Sequence, residues 1–249
     1  MVNMAELGGI ARAKRGFDQT ENWIFDLDNT LYPASCRLFD QIDVKMAAFI
    51  MELLKVDHAE ARRLQKGFLY EHGTTLRGLM MEYGVQPAEF LSFVHDIDHS
   101  AITANEELGR ALRQLPGRRF IFTNGTVQHA ENVMARIGIL DCFDDIFDIE
   151  AADYLPKPHI ESYHAMLKRH GIEAERSAMF EDISRNLEPC HRLGMTTVLI
   201  TSSDNEDSAA IASRTGLGPD APHIDHVTDN LPEFLAQLLE LRRSGQAAG

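Results

Sequence analysis

Apolar residues along this chain follow two rhythms. Short unbroken runs such as Trp23-Ile24-Phe25, Phe120-Ile121-Phe122 and Val198-Leu199-Ile200 predict strands buried on both faces. Between them lie stretches in which apolar residues recur every three or four positions, the mark of helices with one buried stripe. The runs place strands at 22–27, 118–122, 143–149, 177–182 and 196–200, with an edge strand at 223–227. The second rhythm places helices at 37–57, 58–71, 74–83, 87–95, 104–115, 126–137, 158–170, 184–193 and 231–243. Gly138, Gly171 and Gly194 follow three of these helices, as C′ glycines do. Strands alternating with helices imply a parallel sheet covered on both sides, an α/β doubly wound fold. The block from 36 to 101 breaks the alternation, since it carries four helical patterns and no strand. The expected organisation is a flexible N-terminal extension (1–18), a core formed by 19–35 and 102–249, and an inserted helical domain (36–101).

The strand ends carry the chemistry. The first run stops at Asp26-Leu27-Asp28-Asn29-Thr30. In an open parallel sheet the carboxyl end of a strand faces the ligand crevice. At a fraying strand end the second aspartate can turn toward the first, and such a pair suits Mg²⁺. An EF-hand calcium loop is excluded, because Leu31 and Arg37 stand where that loop needs Gly and Glu. A solvated acidic turn is the plainer alternative. Thr123-Asn124 ends the second strand, where a hydroxyl and backbone N–H groups can hold phosphate oxygens; a simple helix N-cap is the alternative. Lys157-Pro158 precedes a helix, with Pro suited to its first position. A lysine there opposes the helix dipole, which favours an anion-binding role over an exposed loop lysine. Glu181-Asp182 ends the fourth strand and offers further carboxylates, unless it is merely an acidic helix start.

Composition narrows the partners. A net charge of −14 over 249 residues argues against nucleic acid or an anionic membrane surface. It is compatible with one small phosphate ester held by a metal and a lysine. Three cysteines, Cys36, Cys142 and Cys190, have no metal-ligand spacing and fit a reducing compartment. No run approaches a membrane span and the first 20 residues lack an apolar signal region, so a cytoplasmic protein is expected. The oligomeric state, monomer or dimer, is left open.

Taken together, Asp26-Leu27-Asp28-Asn29-Thr30, Thr123, Lys157-Pro158 and Glu181-Asp182 resemble the four motifs of the haloacid dehalogenase-like hydrolase superfamily. The helical insertion resembles that superfamily's cap. Within it, Tyr70-Glu71-His72-Gly73-Thr74-Thr75-Leu76-Arg77-Gly78-Leu79 is similar to the cap of the pyrimidine 5′-nucleotidase subgroup, as is Phe122-Thr123-Asn124-Gly125. The resemblance implies a Mg²⁺-dependent phosphomonoesterase, in the subgroup a pyrimidine nucleoside 5′-monophosphate phosphatase. Asp26 is then the nucleophile that becomes an aspartyl phosphate. Asp28 is the acid and base, with a pKa that crowding by other carboxylates would raise. Thr123, Asn124 and Lys157 bind phosphate oxygens. Asp26, the Asp28 carbonyl and Asp182 hold the metal, supported by Glu181. Tyr70, His72, Thr74 and Arg77 are the candidate substrate contacts of the cap.

Three other readings compete. A carbon dehalogenase is disfavoured by Asp28, which those relatives lack. A sugar-phosphate phosphatase or phosphomutase stays open. A non-catalytic binding protein on the same scaffold is disfavoured by the presence of Asp26. The pair His95 and His99 lacks the Glu of a zinc-protease helix and reads as a junction where the insertion rejoins the core. Gly216-Leu217-Gly218-Pro219-Asp220-Ala221 follows no strand, so it is not a dinucleotide fingerprint.

Overall fold

Strand β1 (Asn22–Phe25) lies in the middle of a six-stranded sheet, with all four residues buried. This computed structural model describes residues 14–204, 208–210, 212 and 217–246. The other strands are β2 (Arg118–Phe122), β3 (Asp145–Phe147), β4 (Ser177–Glu181), β5 (Thr196–Ile200) and β6 (His226–Thr228). Every pairing is parallel, in the order β3-β2-β1-β4-β5-β6. Ile24 stands level with Phe120 on one side and Met179 on the other. The chain winds outward from β1 to β3, then returns to start at β4 and winds the other way. The order therefore reverses between β1 and β4, where doubly wound folds bind ligands.

Alternation along β1 divides the core. Trp23 and Phe25 face one side, packed with α5 (Glu106–Gln114), α6 (Val127–Ile137) and the last helix, α9 (Leu231–Gln246). Ile24 faces the other side, with Tyr163 and Met166 of α7 (Ile160–His170) and Leu187 of α8 (Ser184–Leu193). The intervening block forms α1 (Leu38–Leu54), α2 (His58–His72), α3 (Thr75–Tyr83) and α4 (Pro87–Val94). These helices close around a core of their own that includes Ile50, Phe68, Leu79 and Phe90. Gly78 is required at the α2–α3 crossing, because a Cβ there would lie 2.4 Å from the Phe68 ring. Gly78→Ala gains about 1 kcal/mol of helix propensity but forces overpacking that costs about 1–3 kcal/mol. We expect a net loss, read as a lower thermal midpoint.

Several expected boundaries move. β1 stops at Phe25 and β3 is confined to Asp145–Phe147, because the chain turns where pairing ends. The edge strand lies at His226–Thr228, the segment that meets β5. Helix α7 begins at Ile160, so Pro158 is not its first residue; a cis peptide joins Lys157 to Pro158. The described end of the N-terminal extension is docked rather than loose. Phe17 is buried against Trp23 and Phe234, and the Arg15 N–H donates to Asp225. Residues 1–13 of that extension lie outside the described residues, as do 205–207, 211 and 213–216 of the expected loop, Gly216 of the glycine pattern among them.

Candidate active site

Asp26 follows β1 at its carboxyl end, and its backbone N–H still donates to Phe180 of β4 at 2.9 Å. That last sheet bond fixes the residue at the crevice. Its carboxylate is buried and meets Lys157, whose ammonium donates to Asp26 Oδ1 and Glu181 Oε2, each at 2.6 Å, and to the Phe122 carbonyl at 2.9 Å. Lys157 is 1% exposed, so the alternative of an exposed loop lysine is ruled out. Burial alone would pull its ammonium down. The charges of Asp26 and Glu181, and the bonds to both, outweigh that and hold it above the ordinary lysine value.

Asp26, Glu181 and Asp182 lie with carboxylate oxygens within 4.8 Å of one another, all buried. One lysine cannot neutralise three acids. Burial first and Glu181 second push Asp26 up to about 7, with Lys157 opposing. This donor set of hard oxygens with excess negative charge fits Mg²⁺, and Asp26 and Asp182 would hold it. Glu181 is largely engaged elsewhere: besides Lys157, it accepts from the Ile183 N–H at 3.2 Å. It steadies the lysine and the turn more than it offers a ligand.

Asp28 departs from the expectation. Among the described residues its carboxylate is not part of the acidic cluster; it turns the other way. Its Oδ1 accepts from Tyr32 Oη at 2.6 Å and bonds His129 Nε2 at 2.9 Å. Burial would raise its pKa, but His129 and Tyr32 outweigh burial and the net shift is downward. Crowding by carboxylates therefore acts on Asp26, not on Asp28. Burial lowers the pKa of His129, but the charge of Asp28 and the bond to it outweigh burial, and the net shift is upward. His129 and Tyr32 escaped the sequence reading. The spacing of Tyr32 from Asp28, four residues, was the one visible signal; His129 lies 101 residues away.

Thr123 is buried, and its hydroxyl accepts from the Gly125 N–H at 2.9 Å. The helix that follows is capped by Thr126, whose hydroxyl accepts from the His129 N–H, so Thr123 is released from capping. The Asn124 amide grips the Lys157 peptide, Oδ1 accepting from its N–H at 2.9 Å and Nδ2 donating to its carbonyl at 3.4 Å. Asn124 thus sets the lysine loop.

These groups line one end of a cavity of about 1090 Å³ roofed by α1 and α2. Of the four candidate cap contacts, Tyr70 and Thr74 line it, although the Thr74 hydroxyl also caps α3 by accepting from the Arg77 N–H at 3.1 Å. His72 and Arg77 do not line it. His72 is drawn to Glu82 of α3 at 2.9 Å, and Arg77 reaches across to the Tyr154 carbonyl at 3.4 Å. The sequence reading missed Arg62, Gln65 and Leu69, a stripe at helical spacing on α2 that does face the cavity. Arg185 of α8 also lines it and donates to the Tyr70 carbonyl at 3.5 Å, joining the sheet side to the roof.

A family model described as haloacid dehalogenase-like hydrolase matches residues 23–194. The chain is 25% identical over 200 residues to a glyceraldehyde 3-phosphate phosphatase of Methanocaldococcus jannaschii, the match covering 74% of this chain and 86% of that protein. It is 26% identical to phosphate metabolism protein 8 of Saccharomyces cerevisiae over 71% of this chain, which spans only 60% of the length of that relative. The HAD hydrolase YfnB of Bacillus subtilis, solved with bound magnesium, superposes with a TM-score of 0.55 at 17% identity, covering 88% of this chain and 98% of that one. Among the described residues no helix is long and apolar enough to cross a membrane.

Proposed function

The chain belongs to the haloacid dehalogenase-like hydrolases, and on that premise we propose that it is a Mg²⁺-dependent phosphatase of small phosphate esters working through an aspartyl phosphate. The observation that carries this reading is the buried group of Asp26, Lys157, Glu181 and Asp182 beneath the cavity, with Asp28 held apart from it. A nucleophile among metal-suited acids and an acid/base on a separate set of partners are the two parts that ester hydrolysis needs.

Asp26 attacks phosphorus, and the ester P–O bond breaks as its oxygen takes a proton from Asp28. Water then attacks the acyl phosphate, giving its proton to Asp28 and releasing inorganic phosphate and the Asp26 carboxylate. The negative charge of an incoming phosphate dianion raises the proton affinity of Asp28, offsetting the downward pull of His129. When bound, Mg²⁺ supplies charge neutralisation for the transferring phosphoryl group. Lys157 adds to that charge and keeps Asp26 aimed into the cavity. Thr123 and the backbone around Asn124 receive the remaining oxygens. The α1–α4 unit serves as the cap that keeps bulk water out during the first step.

Two substrate classes have support. The name of the archaeal relative and the outward turn of His72 and Arg77 favour a small sugar phosphate. The resemblance of the 70–79 segment and the place of Tyr70 on the cavity wall favour a pyrimidine nucleoside 5′-monophosphate. Phosphate release from a panel of 5′-nucleotides, triose, pentose and hexose phosphates, with Mg²⁺ or with chelator, separates the two. Metal-dependent release from either class is expected. No release from any ester would remove the phosphatase reading.

A further inference from the structure

His129 sits in a costly place. It is the third residue of α6, where the helix dipole disfavours a cationic ring. Its side chain is fully buried, and its Nδ1 has no hydrogen-bond partner among the described residues. An orphaned buried polar atom costs about 1–3 kcal/mol. A helix that needed only packing at this position would be better served by Leu. Among the described residues, the one hydrogen bond from the ring goes to Asp28 Oδ1.

The surroundings are shaped to the ring. Gly125 leaves room for it, since a Cβ there would stand 3.2 Å from His129 Cδ2 and 3.7 Å from His95 Nε2. His95, the C-cap residue just after α4, stacks on His129 with ring centres 4.6 Å apart and planes 8° from parallel. The other side of His95 is tied by Nδ1 to the Thr126 hydroxyl at 3.2 Å. Thus the residue at which the helical unit returns to the sheet presses on the ring that holds Asp28. Both members of the histidine pair that the sequence presented as a mere junction lie against this ring, His95 stacked on it and His99 tilted at 43° with ring centres 5.8 Å apart.

Tyr32 and His129 both bind Oδ1, and Oδ2 makes no hydrogen bond among the described residues. We propose that His129 is a positioning residue that fixes the Asp28 carboxyl with Oδ2 as the oxygen serving the leaving group, and that His95 braces the His129 ring from the cap junction. The inference rests on the phosphatase reading given above. It makes His129 matter where a proton must be delivered to the departing oxygen, and matter little where the leaving group needs none.

The experiment compares kcat/KM for an alkyl phosphate, the best substrate of the panel, with that for p-nitrophenyl phosphate, whose leaving group departs without a proton. This parameter reports events up to departure of the leaving group, so the later use of Asp28 as a base does not enter. The ratio of the two is taken on one preparation, so any inactive fraction cancels. In His129→Ala the ratio is expected to fall about tenfold or more, a part of the 10²–10⁴ that general acid catalysis supplies. His129→Gln, which keeps an N–H donor, should restore much of it, and His95→Ala should lower it by a smaller factor. Equal losses on both esters would mean a structural role and overturn the inference, as would an unchanged ratio in both histidine-to-alanine variants. Wild-type protein that hydrolyses neither ester would instead remove the phosphatase reading, and this inference with it.

Discussion

Asp26→Asn is expected to abolish phosphate release, by at least about a thousandfold, while making the metal-free protein more stable. The two effects have one cause. Asp26 is buried beside Glu181, and its pKa is pushed from 3.8 up to about 7. A group whose folded pKa lies above its unfolded value binds its proton more tightly when folded, so the folded state is favoured at low pH. That advantage is fully present below about 4 and is lost as pH rises to about 7. Above that, the ionised Asp26 burdens the fold by an amount on the order of a few kcal/mol. Asparagine keeps the shape and removes the charge, and Glu181 keeps its bond to Lys157. Thermal melts in chelator should place the variant about 2–6 °C above wild type at pH 8, with the difference closing toward pH 4. Added Mg²⁺ should stabilise wild type more than the variant. A variant less stable than wild type at pH 8 would show that Asp26 is not a strained anion.

Lys157→Met should move stability the opposite way and by more. The ammonium is the shared partner of two buried carboxylates. Methionine fills a similar volume but leaves Asp26 and Glu181 facing each other with nothing between. Removing one partner of a buried ion pair costs about 3–5 kcal/mol, which for a chain of this size is a fall in midpoint of about 10 °C. Activity should fall with it, since the nucleophile loses its orienting bond. A divalent cation replaces some of the missing charge, so Mg²⁺ should raise the midpoint of this variant more than that of wild type. A variant that melts within about 2 °C of wild type in chelator would contradict the buried-charge account. The two variants thus separate excess negative charge from its neutralisation, and the double variant should be less destabilised than Lys157→Met alone, because the sites are in direct contact.

The two substitutions also distinguish what each part of the site does. Asp26 is held against electrostatics by the sheet, through its own N–H and the strands on either side. Lys157 is held by chemistry, through Asn124 at its backbone and three acceptors at its tip. The strained group is the one expected to react, and the satisfied group is the one expected to keep it in place.

Much of this was legible in the chain itself. The run Trp23-Ile24-Phe25 has no polar face, so it had to be a central strand. The alternation of such runs with amphipathic stretches dictated a parallel sheet with helices on both sides. Motifs at the ends of three strands and in the loop that follows a fourth then had to meet at one edge, because parallel strands all end on the same side; Asp26, Thr123, Lys157 and Glu181-Asp182 do line one cavity. These are consequences of period and polarity, which are local properties.

What only the tertiary structure decided is how neighbours pair across that edge. Asp28 and His129 are brought together because α6 starts beside the end of β1, a juxtaposition with no trace in spacing. The direction of the Asp28 shift followed from that partner and reversed the expectation drawn from nearby acids. His72 and Arg77 belong to the segment that suggested substrate contact, yet Glu82 and the Tyr154 carbonyl draw them away from the cavity. A side chain's charge is written in the sequence, but its partner is chosen by packing between distant segments, and in a buried site the partner sets both the protonation state and the aim.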